Sequence, residues 1–103
     1  MLLKSPSVRS PKILKAAKGQ NCTMQVAGVC NHNPETTVAA HLDSENKGMG
    51  YKSSDLFTVF ACSACHEWLD RHQGSAEDQL FYSLRALDRT HRQLHQMGVI
   101  KCD

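Results

Sequence analysis

The alternation of apolar and polar residues predicts two short β-strands in the middle of the chain. Residues 36 to 42, TTVAAHL, place apolar side chains at every second position and put His41 on the opposite face. Residues 56 to 61, LFTVFA, are mostly β-branched or aromatic, which favours a second strand. The polar, glycine-containing segment between them predicts a connecting loop.

Capping residues predict three helices around these strands. Ser10 followed by proline is typical of a helix start, and Gly19 is typical of its end. A second short helix is predicted from about Ser63 to Gly74, and a long third helix over residues 75 to 97.

The third helix carries two stripes of side chains. Four leucines at helical spacing predict a face packed in the core: Leu80, Leu84, Leu87 and Leu94. Three arginines on a different face are candidate contacts for a phosphate backbone: Arg85, Arg89 and Arg92. After this helix, residues 99 to 102, VIKC, predict a short terminal strand.

These elements predict an α+β fold in a single domain, residues 1 to 103. Residues 1 to 10 are expected to form a disordered basic arm, residues 20 to 72 the core, and residues 75 to 97 the C-terminal helix. A chain of this length buries only about two thirds of its unfolded surface, so its core is modest. Some additional source of stability is therefore expected.

Positive charge is concentrated at the N-terminus, although the net charge is only +2. The first 34 residues carry five basic side chains and no acid, and all ten acids lie from Glu35 onward. Such an arm can attract a polyanion, and it can equally be a solvated terminus.

Five cysteines in a chain of 103 residues require an explanation. No apolar segment approaches the ~20 residues that span a membrane, and the first twelve residues lack the apolar stretch of a secretory signal. We therefore expect a cytoplasmic protein, in which thiols stay reduced. Paired cysteines in a reducing compartment indicate a metal site before they indicate disulfides.

The cysteines form two pairs, with Cys102 left over. Cys62-x-x-Cys65 has the spacing at which two thiolates bind one tetrahedral zinc ion. Cys22 and Cys30 are further apart, but a hairpin loop can bring them together. Four thiolates would complete a structural zinc site, and such sites contribute folding free energy directly. Two alternatives stay open, since His32 or His66 can replace Cys22 as the fourth ligand.

A second group of candidate functional side chains, two histidines and an aspartate, is expected near the second cysteine pair. His66 and Asp70 lie four residues apart on one helix face, where they can hold one divalent ion together. His41 can approach the same place if the two strands pair as a hairpin and the helix packs across it. This arrangement would set a possible base opposite a possible metal.

The order AHL, loop, strand and CxxCH resembles the zinc-knuckle variety of the HNH nucleases. The segments SPKILKAAKGQNC, CNHNPETTVAAHL, GMGYK and ACSACH, which span about residues 10 to 72, are similar to the small prophage-encoded YbcO-like family of proposed nucleases. The resemblance implies a ββα-metal, treble-clef-like core that is stabilised by zinc.

The resemblance also implies roles for individual residues. His41 matches the histidine that activates water, and His66 matches the helix histidine that binds the catalytic metal. Asp55 is the nearest match to the middle residue of the motif. Ala40 and Leu69 depart from the family, which commonly has an acid and a lysine at these places. The metal would therefore be held by His66 with Asp70, or with His72.

Two functions follow from these patterns. The first is a metal-dependent endonuclease of a phage or prophage that hydrolyses DNA in the bacterial cytoplasm, with a structural zinc ion and a catalytic Mg²⁺ or other divalent ion. The second is a non-catalytic zinc module that binds nucleic acid or a protein. Expected partners are DNA and phage or host recombination proteins, with no membrane; the oligomeric state is open. The expected contacts to the nucleic-acid backbone are Lys12, Lys15, Lys18, Lys47 and Lys52.

Overall fold

The computed structural model describes residues 7–42 and 53–102 and shows a small α+β fold. A two-stranded sheet and three α-helices follow one another along the chain. Their bounds are α1 Pro11–Ala16, β1 Val38–His41, β2 Thr58–Ala61, α2 Ser63–Asp70 and α3 Ala76–Gln96, with a 3₁₀ turn at Pro34–Thr36 before β1. None of these helices combines the length and the apolar character that crossing a bilayer requires.

The two strands pair antiparallel, as the hairpin prediction expects. Val38 faces Ala61 at one end of the sheet, and His41 faces Thr58 at the other. β2 is buried along its whole length because other elements cover both of its faces. β1 begins later than predicted, since Thr36 closes the 3₁₀ turn that Asn33 caps. β2 also begins later, since a turn precedes it in which the Phe57 N–H donates to the carbonyl of Ser54. The sheet thereby fixes His41 at its end.

Serine side chains cap two of the helices at the predicted positions. The side-chain oxygen of Ser10 accepts a hydrogen bond from the Ile13 N–H of α1. Ser75 accepts one from the Asp78 N–H of α3 at 3.0 Å. Each bond satisfies a backbone donor that the first turn of a helix leaves without a partner.

The prediction that the leucine stripe of α3 is core is wrong at two positions. Leu94 is buried, but Leu80 and Leu84 are 61% and 56% exposed. The buried face of the helix instead consists of Ala86, Thr90 and Leu94. Polar Thr90 belongs to it because its hydroxyl accepts the backbone N–H of Phe60 in β2, at 3.1 Å. The first half of α3 lies beyond this contact and leaves its leucines in solvent.

The last described residues form a helix stop instead of the predicted strand. Residues 99–102 contain no strand. Gly98 adopts a left-handed conformation with φ of 75°, which glycine does without strain. The N–H groups of Gly98 and Val99 donate to the carbonyls of His95 and Leu94, which is the hydrogen-bond pattern of a Schellman motif.

Residues 7 to 10 are bound to the core and are not part of a disordered arm. The carbonyl of Val8 accepts the Asp55 N–H at 2.8 Å, and the Val8 N–H donates to the hydroxyl of Ser54 at 3.1 Å. The segment before α1 thereby lies against the segment before β2. The predicted contacts Lys47 and Lys52 lie outside the described residues.

Candidate functional site

Four cysteine side chains meet between the loop that precedes β1 and the start of α2. Their sulfur atoms all lie within 4.8 Å of one another. The Sγ atoms of Cys30 and Cys62 are 3.8 Å apart. Tetrahedral zinc with Zn–S bonds of about 2.3 Å separates its sulfurs by about 3.8 Å, so the spacing fits. The members are Cys22, Cys30, Cys62 and Cys65, as predicted, and they could hold a metal such as zinc.

Local hydrogen bonds explain why both cysteine pairs point inward. Cys62 is the N-cap of α2, and its sulfur accepts the Cys65 N–H at 3.4 Å. The wide spacing of the first pair is closed by a turn in which the Cys30 N–H donates to the carbonyl of Val26 at 3.0 Å. Gly28 permits this turn because its φ is 75°.

Two arginines of α3 form hydrogen bonds with backbone carbonyls of the loop that joins Cys22 to Cys30. Arg85 donates to the carbonyl of Met24 at 2.8 Å, and Arg89 donates to the carbonyl of Thr23 at 3.2 Å. The third member of the arginine stripe, Arg92, pairs with Asp88 on its own helix. The arginine stripe was predicted to contact phosphates, but Arg85 and Arg89 hold the backbone next to Cys22. No sequence signal identifies their carbonyl partners, because backbone acceptors carry no residue signature.

In the absence of a bound metal, thiols of the cluster have shifted pKa values. A hydrogen bond with the Cys65 thiol lowers the pKa of Cys22 to about 4, although burial opposes this shift. The same hydrogen bond, together with burial, raises the pKa of Cys65. Burial raises the pKa of Cys30 to about 11. Four thiolates at this separation repel one another, so a bound cation is required to keep all of them ionised.

The two alternative ligands lie outside the four-sulfur cluster. The Nδ1 atom of His32 is 3.7 Å from the sulfur of Cys30 and contacts the cluster at its edge. His66 instead pairs with Asp70. In residues 7–42 and 53–102, the four cysteines are the one group of three or more histidine, cysteine or acidic side chains that a single ion can join. Cys102 is exposed and stands outside it.

His41 and Asp55 form a hydrogen-bonded pair at the end of the sheet. The Nε2 atom of His41 lies 2.8 Å from Oδ1 of Asp55. Asp55 is 4% exposed, whereas about a third of the His41 side chain reaches solvent. The histidine can therefore meet a substrate, and the buried carboxylate orients it.

The same carboxylate also holds the N-terminal segment. Its Oδ2 atom accepts the Ser10 N–H at 2.7 Å, and Arg9 lies 3.5 Å from Oδ1. Burial favours the neutral acid, but the hydrogen bonds from His41 and Ser10 and the charges of His41 and Arg9 outweigh it. The pKa of Asp55 is therefore lowered, and the group is ionised at neutral pH. This link was not predictable from the sequence, since Ser10 and Asp55 are 45 positions apart and give no periodic signal.

His66 and Asp70 occupy one face of α2. The Nε2 atom of His66 lies 3.2 Å from Oδ2 of Asp70, as the spacing predicts. Both side chains are accessible. Together they offer one nitrogen and one carboxylate donor to a metal.

A groove of about 500 Å³ is lined by residues from the end of β1, from α2 and from the first half of α3. His41 and Asp70 both line it, as does His72, whereas His66 does not. The structure thus brings His41 and the acidic member of the α2 pair to one cavity. Asp55 lies behind His41 and does not line the groove.

Three predicted lysine contacts are solvent-exposed near the N-terminus. Lys12 and Lys15 lie on α1, and Lys18 follows it. Their exposure leaves them accessible to a polyanion.

Comparison with known proteins identifies relatives over most of the chain. Residues 11–99 match the family model described as "Putative nuclease YbcO". The chain is 42% identical over 90 residues to the proteins of that name from Escherichia coli strain K12 and Enterobacteria phage 82, which covers 84% of this chain and 94% of each relative. A solved structure of a putative bacteriophage protein from Escherichia coli K-12 is 40% identical, with a TM-score of 0.70, and the match covers 84% of this chain and 99% of that one. This chain therefore belongs to the family described as Putative nuclease YbcO.

Proposed function

We propose that the protein is a metal-dependent endonuclease that hydrolyses DNA phosphodiesters, with a structural zinc ion and a separate catalytic divalent ion. The observation that carries this proposal is the pairing of His41 with a buried carboxylate at a groove that Asp70 also lines. The nuclease names of the relatives support it. Their occurrence in Escherichia coli and in a phage supports a phage or prophage origin and action in the bacterial cytoplasm.

His41 acts as the general base. Ionised Asp55 can only accept hydrogen bonds, so the proton between the two residues belongs to Nε2 of His41. In the neutral ring, the lone pair then lies on Nδ1, where it can take a proton from water. An imidazole is suited to this task near neutral pH. Asp55 acts through His41 as a positioning residue.

The four cysteines hold the structural zinc ion. Cys62 and Cys65 belong to the junction of β2 with α2, while Cys22 and Cys30 belong to the loop before β1. One ion would thus join both strands to the helix that carries His66. The order β1, β2, α2 and the two cysteine pairs are what the resemblance to the ββα-metal core of HNH nucleases leads us to expect, and they support our proposal that the protein belongs to that class.

His66 and Asp70 are the proposed ligands of the catalytic ion. A nitrogen and a carboxylate 3.2 Å apart fit an ion that keeps several water ligands and uses substrate oxygens for the rest, as Mg²⁺ does. Such an ion supplies charge stabilisation to the phosphate and to the departing oxygen. His66 and Asp70 would hold the ion on α2, and zinc bound by Cys62 and Cys65 would fix the start of that helix.

Exposed lysines supply the affinity for the phosphate backbone. Lys12, Lys15 and Lys18 add positive charge near the segment that Asp55 anchors to the site. Contacts of this kind do not read bases, so we expect little sequence preference and strong salt dependence.

A cleavage assay tests the proposal. Zinc-loaded protein is incubated with supercoiled plasmid and Mg²⁺, Mn²⁺ or no added ion, beside His41→Ala at equal zinc content. We expect nicking only with an added ion and a loss of ~10²-fold or more in the variant. Intact plasmid under every condition, or equal cutting by the variant, would overturn the nuclease assignment.

One observation favours a second function, a zinc module that binds nucleic acid or a protein without catalysis. Within the described ranges, His66 and Asp70 offer only two ligands, and no third side chain joins them in one ion's reach. Such a module would leave the plasmid uncut in the assay above, whether its partner is nucleic acid or a protein.

A further inference from the structure

The groove beside His41 is lined largely by apolar side chains. Leu80 and Leu84 contribute from α3, Leu69 contributes from α2, and Leu42 and Phe57 contribute from the positions directly after β1 and directly before β2. His41 and Asp70 line the same cavity, so the proposed chemistry and this apolar surface are continuous.

The two α3 leucines have no counterpart to bury them in the described chain. Both are more than half exposed, whereas the same helix buries Ala86, Thr90 and Leu94. Leaving large apolar side chains in water forfeits the stabilisation that burial would give. Contiguous apolar surface of this kind is typical of binding sites.

We propose that the groove receives a nucleobase from an unpaired nucleotide, so that the substrate is single-stranded or locally unpaired DNA. This inference rests on the proposed nuclease function. It assigns the groove a role in substrate selection, in addition to the role of His41.

The chemistry of DNA leads to this choice of ligand. Phosphates and sugars are polar and would lose their hydration against leucine side chains. Only the bases present broad apolar faces, and in a duplex those faces are stacked on their neighbours. A base can therefore reach the groove only when it is unpaired or flipped out.

The size and polar lining of the groove suit this ligand. Its volume of about 500 Å³ falls within the range of roughly 300–1,000 Å³ that small ligands occupy in proteins. Ser83 and Gln79 also line it and offer polar groups for the edge of a base.

The test measures binding without catalysis. Zinc-loaded protein without added divalent ion is titrated into a fluorescent single-stranded oligonucleotide and into the matching duplex, at one moderate salt concentration. The variant carries Leu80→Gln and Leu84→Gln, which are exposed helix positions where glutamine is well tolerated. The matched control is Phe81→Gln, since Phe81 is 57% exposed on the same turn but does not line the groove.

We expect wild type and Phe81→Gln to bind the single strand more tightly than the duplex. The double variant is expected to lose roughly tenfold in affinity for the single strand and to keep its duplex affinity. Zinc content and melting temperature should be equal in all three proteins.

Several results would overturn the inference. These are equal affinity of wild type for both DNA forms, an equal loss for both forms in the double variant, or a single-strand loss as large in Phe81→Gln. A lower oligomer mass in the double variant, with DNA binding unchanged, would assign the groove to contact between two copies. The binding measurement does not depend on cleavage. A protein that prefers the single strand through Leu80 and Leu84 but does not cut plasmid would therefore overturn the nuclease proposal and leave the groove inference standing. A protein that cuts plasmid but lacks this preference would overturn the groove inference and leave the nuclease proposal standing.

Discussion

The Nε2 atom of His41 lies 2.8 Å from the Oδ1 atom of Asp55, and this contact joins the candidate base to the N-terminal segment. The second oxygen of Asp55 accepts the N–H of Ser10, the residue that caps α1. One buried carboxylate therefore orients the histidine and anchors the helix that carries Lys12 and Lys15. The two roles of Asp55, orienting His41 and anchoring α1, can be separated by measuring the cleavage rate and the free energy of unfolding in the same variant.

Replacing Asp55 with asparagine should lower the cleavage rate by roughly 10²-fold, at the lower end of a general-base contribution. The amide can present its NH₂ group to Nε2 of His41, which favours the tautomer in which Nδ1 carries the proton. The base is then blocked without being removed. The measurement is the single-turnover rate from pH 5 to 9 at equal zinc content. An unchanged rate and an unchanged pH profile would show that Asp55 does not orient the base.

The same substitution should reduce stability by an amount that depends on pH. The pKa of folded Asp55 is below its ordinary value near 3.8, so its ionised form contributes stability that is present above about pH 4. That contribution is lost as the pH falls through the lowered folded value. We expect Asp55→Asn to cost about 2 kcal/mol at pH 6, because it weakens buried hydrogen bonds, and progressively less as the pH falls towards 4 and below.

Urea denaturation of both proteins at pH 6 and at a series of lower pH values measures this difference. Because loss of zinc in acid would unfold wild type and variant alike, the series ends at the lowest pH at which metal analysis shows one ion per chain in both proteins. A cost that grows as the pH falls would contradict the lowered pKa.

Removal of one cysteine ligand should unfold much of the domain. A structural zinc ion contributes on the order of 10 kcal/mol in small domains, and this chain has a modest core. We expect one zinc ion per chain in wild type and a cooperative loss of structure in Cys65→Ser or after chelation. Cys102→Ser is the matched control, since Cys102 is exposed and outside the cluster. Metal analysis and circular dichroism report the result, and a folded, zinc-free Cys65→Ser protein would contradict the assignment.

The cysteine cluster was predictable from sequence because cysteines that can bind a metal have a characteristic spacing. The CxxC pair identifies the site by itself, and a turn at Gly28 suffices to bring in the distant pair. The two strands and the helix caps were predictable for a similar reason, since periodicity and capping are local.

Other features depend on contacts between distant parts of the chain. The bond from Asp55 to Ser10 and the bond from Arg85 to Met24 use backbone groups, which every residue possesses. Leu80 and Leu84 fit the core pattern, but Thr90 forms the actual contact with the sheet through its hydroxyl. Local periodicity cannot distinguish a leucine that faces the core from one that lines a groove.

Removing the carboxylate of Asp70 should weaken the response to the added divalent ion. We expect Asp70→Asn to require roughly tenfold more Mg²⁺ or Mn²⁺ for half-maximal cleavage, because the neutral amide is a weaker ligand for a hard cation. Glu67→Gln is the control, since Glu67 forms an equivalent exposed pair with Arg71 on the same helix. The measurement is the cleavage rate against metal concentration, with zinc held constant. Equal midpoints in Asp70→Asn and Glu67→Gln would place the catalytic ion elsewhere.

The central claim is that the ring of His41 removes a proton from water during DNA cleavage, and chemical rescue tests it most directly. The single-turnover cleavage rate is measured for zinc-loaded wild type and His41→Ala, with and without free imidazole, at a fixed concentration of Mn²⁺. We predict a loss of ~10²-fold or more in the variant and partial recovery that rises with imidazole concentration and with the fraction of neutral imidazole. A variant that cuts as fast as wild type without imidazole would contradict the account.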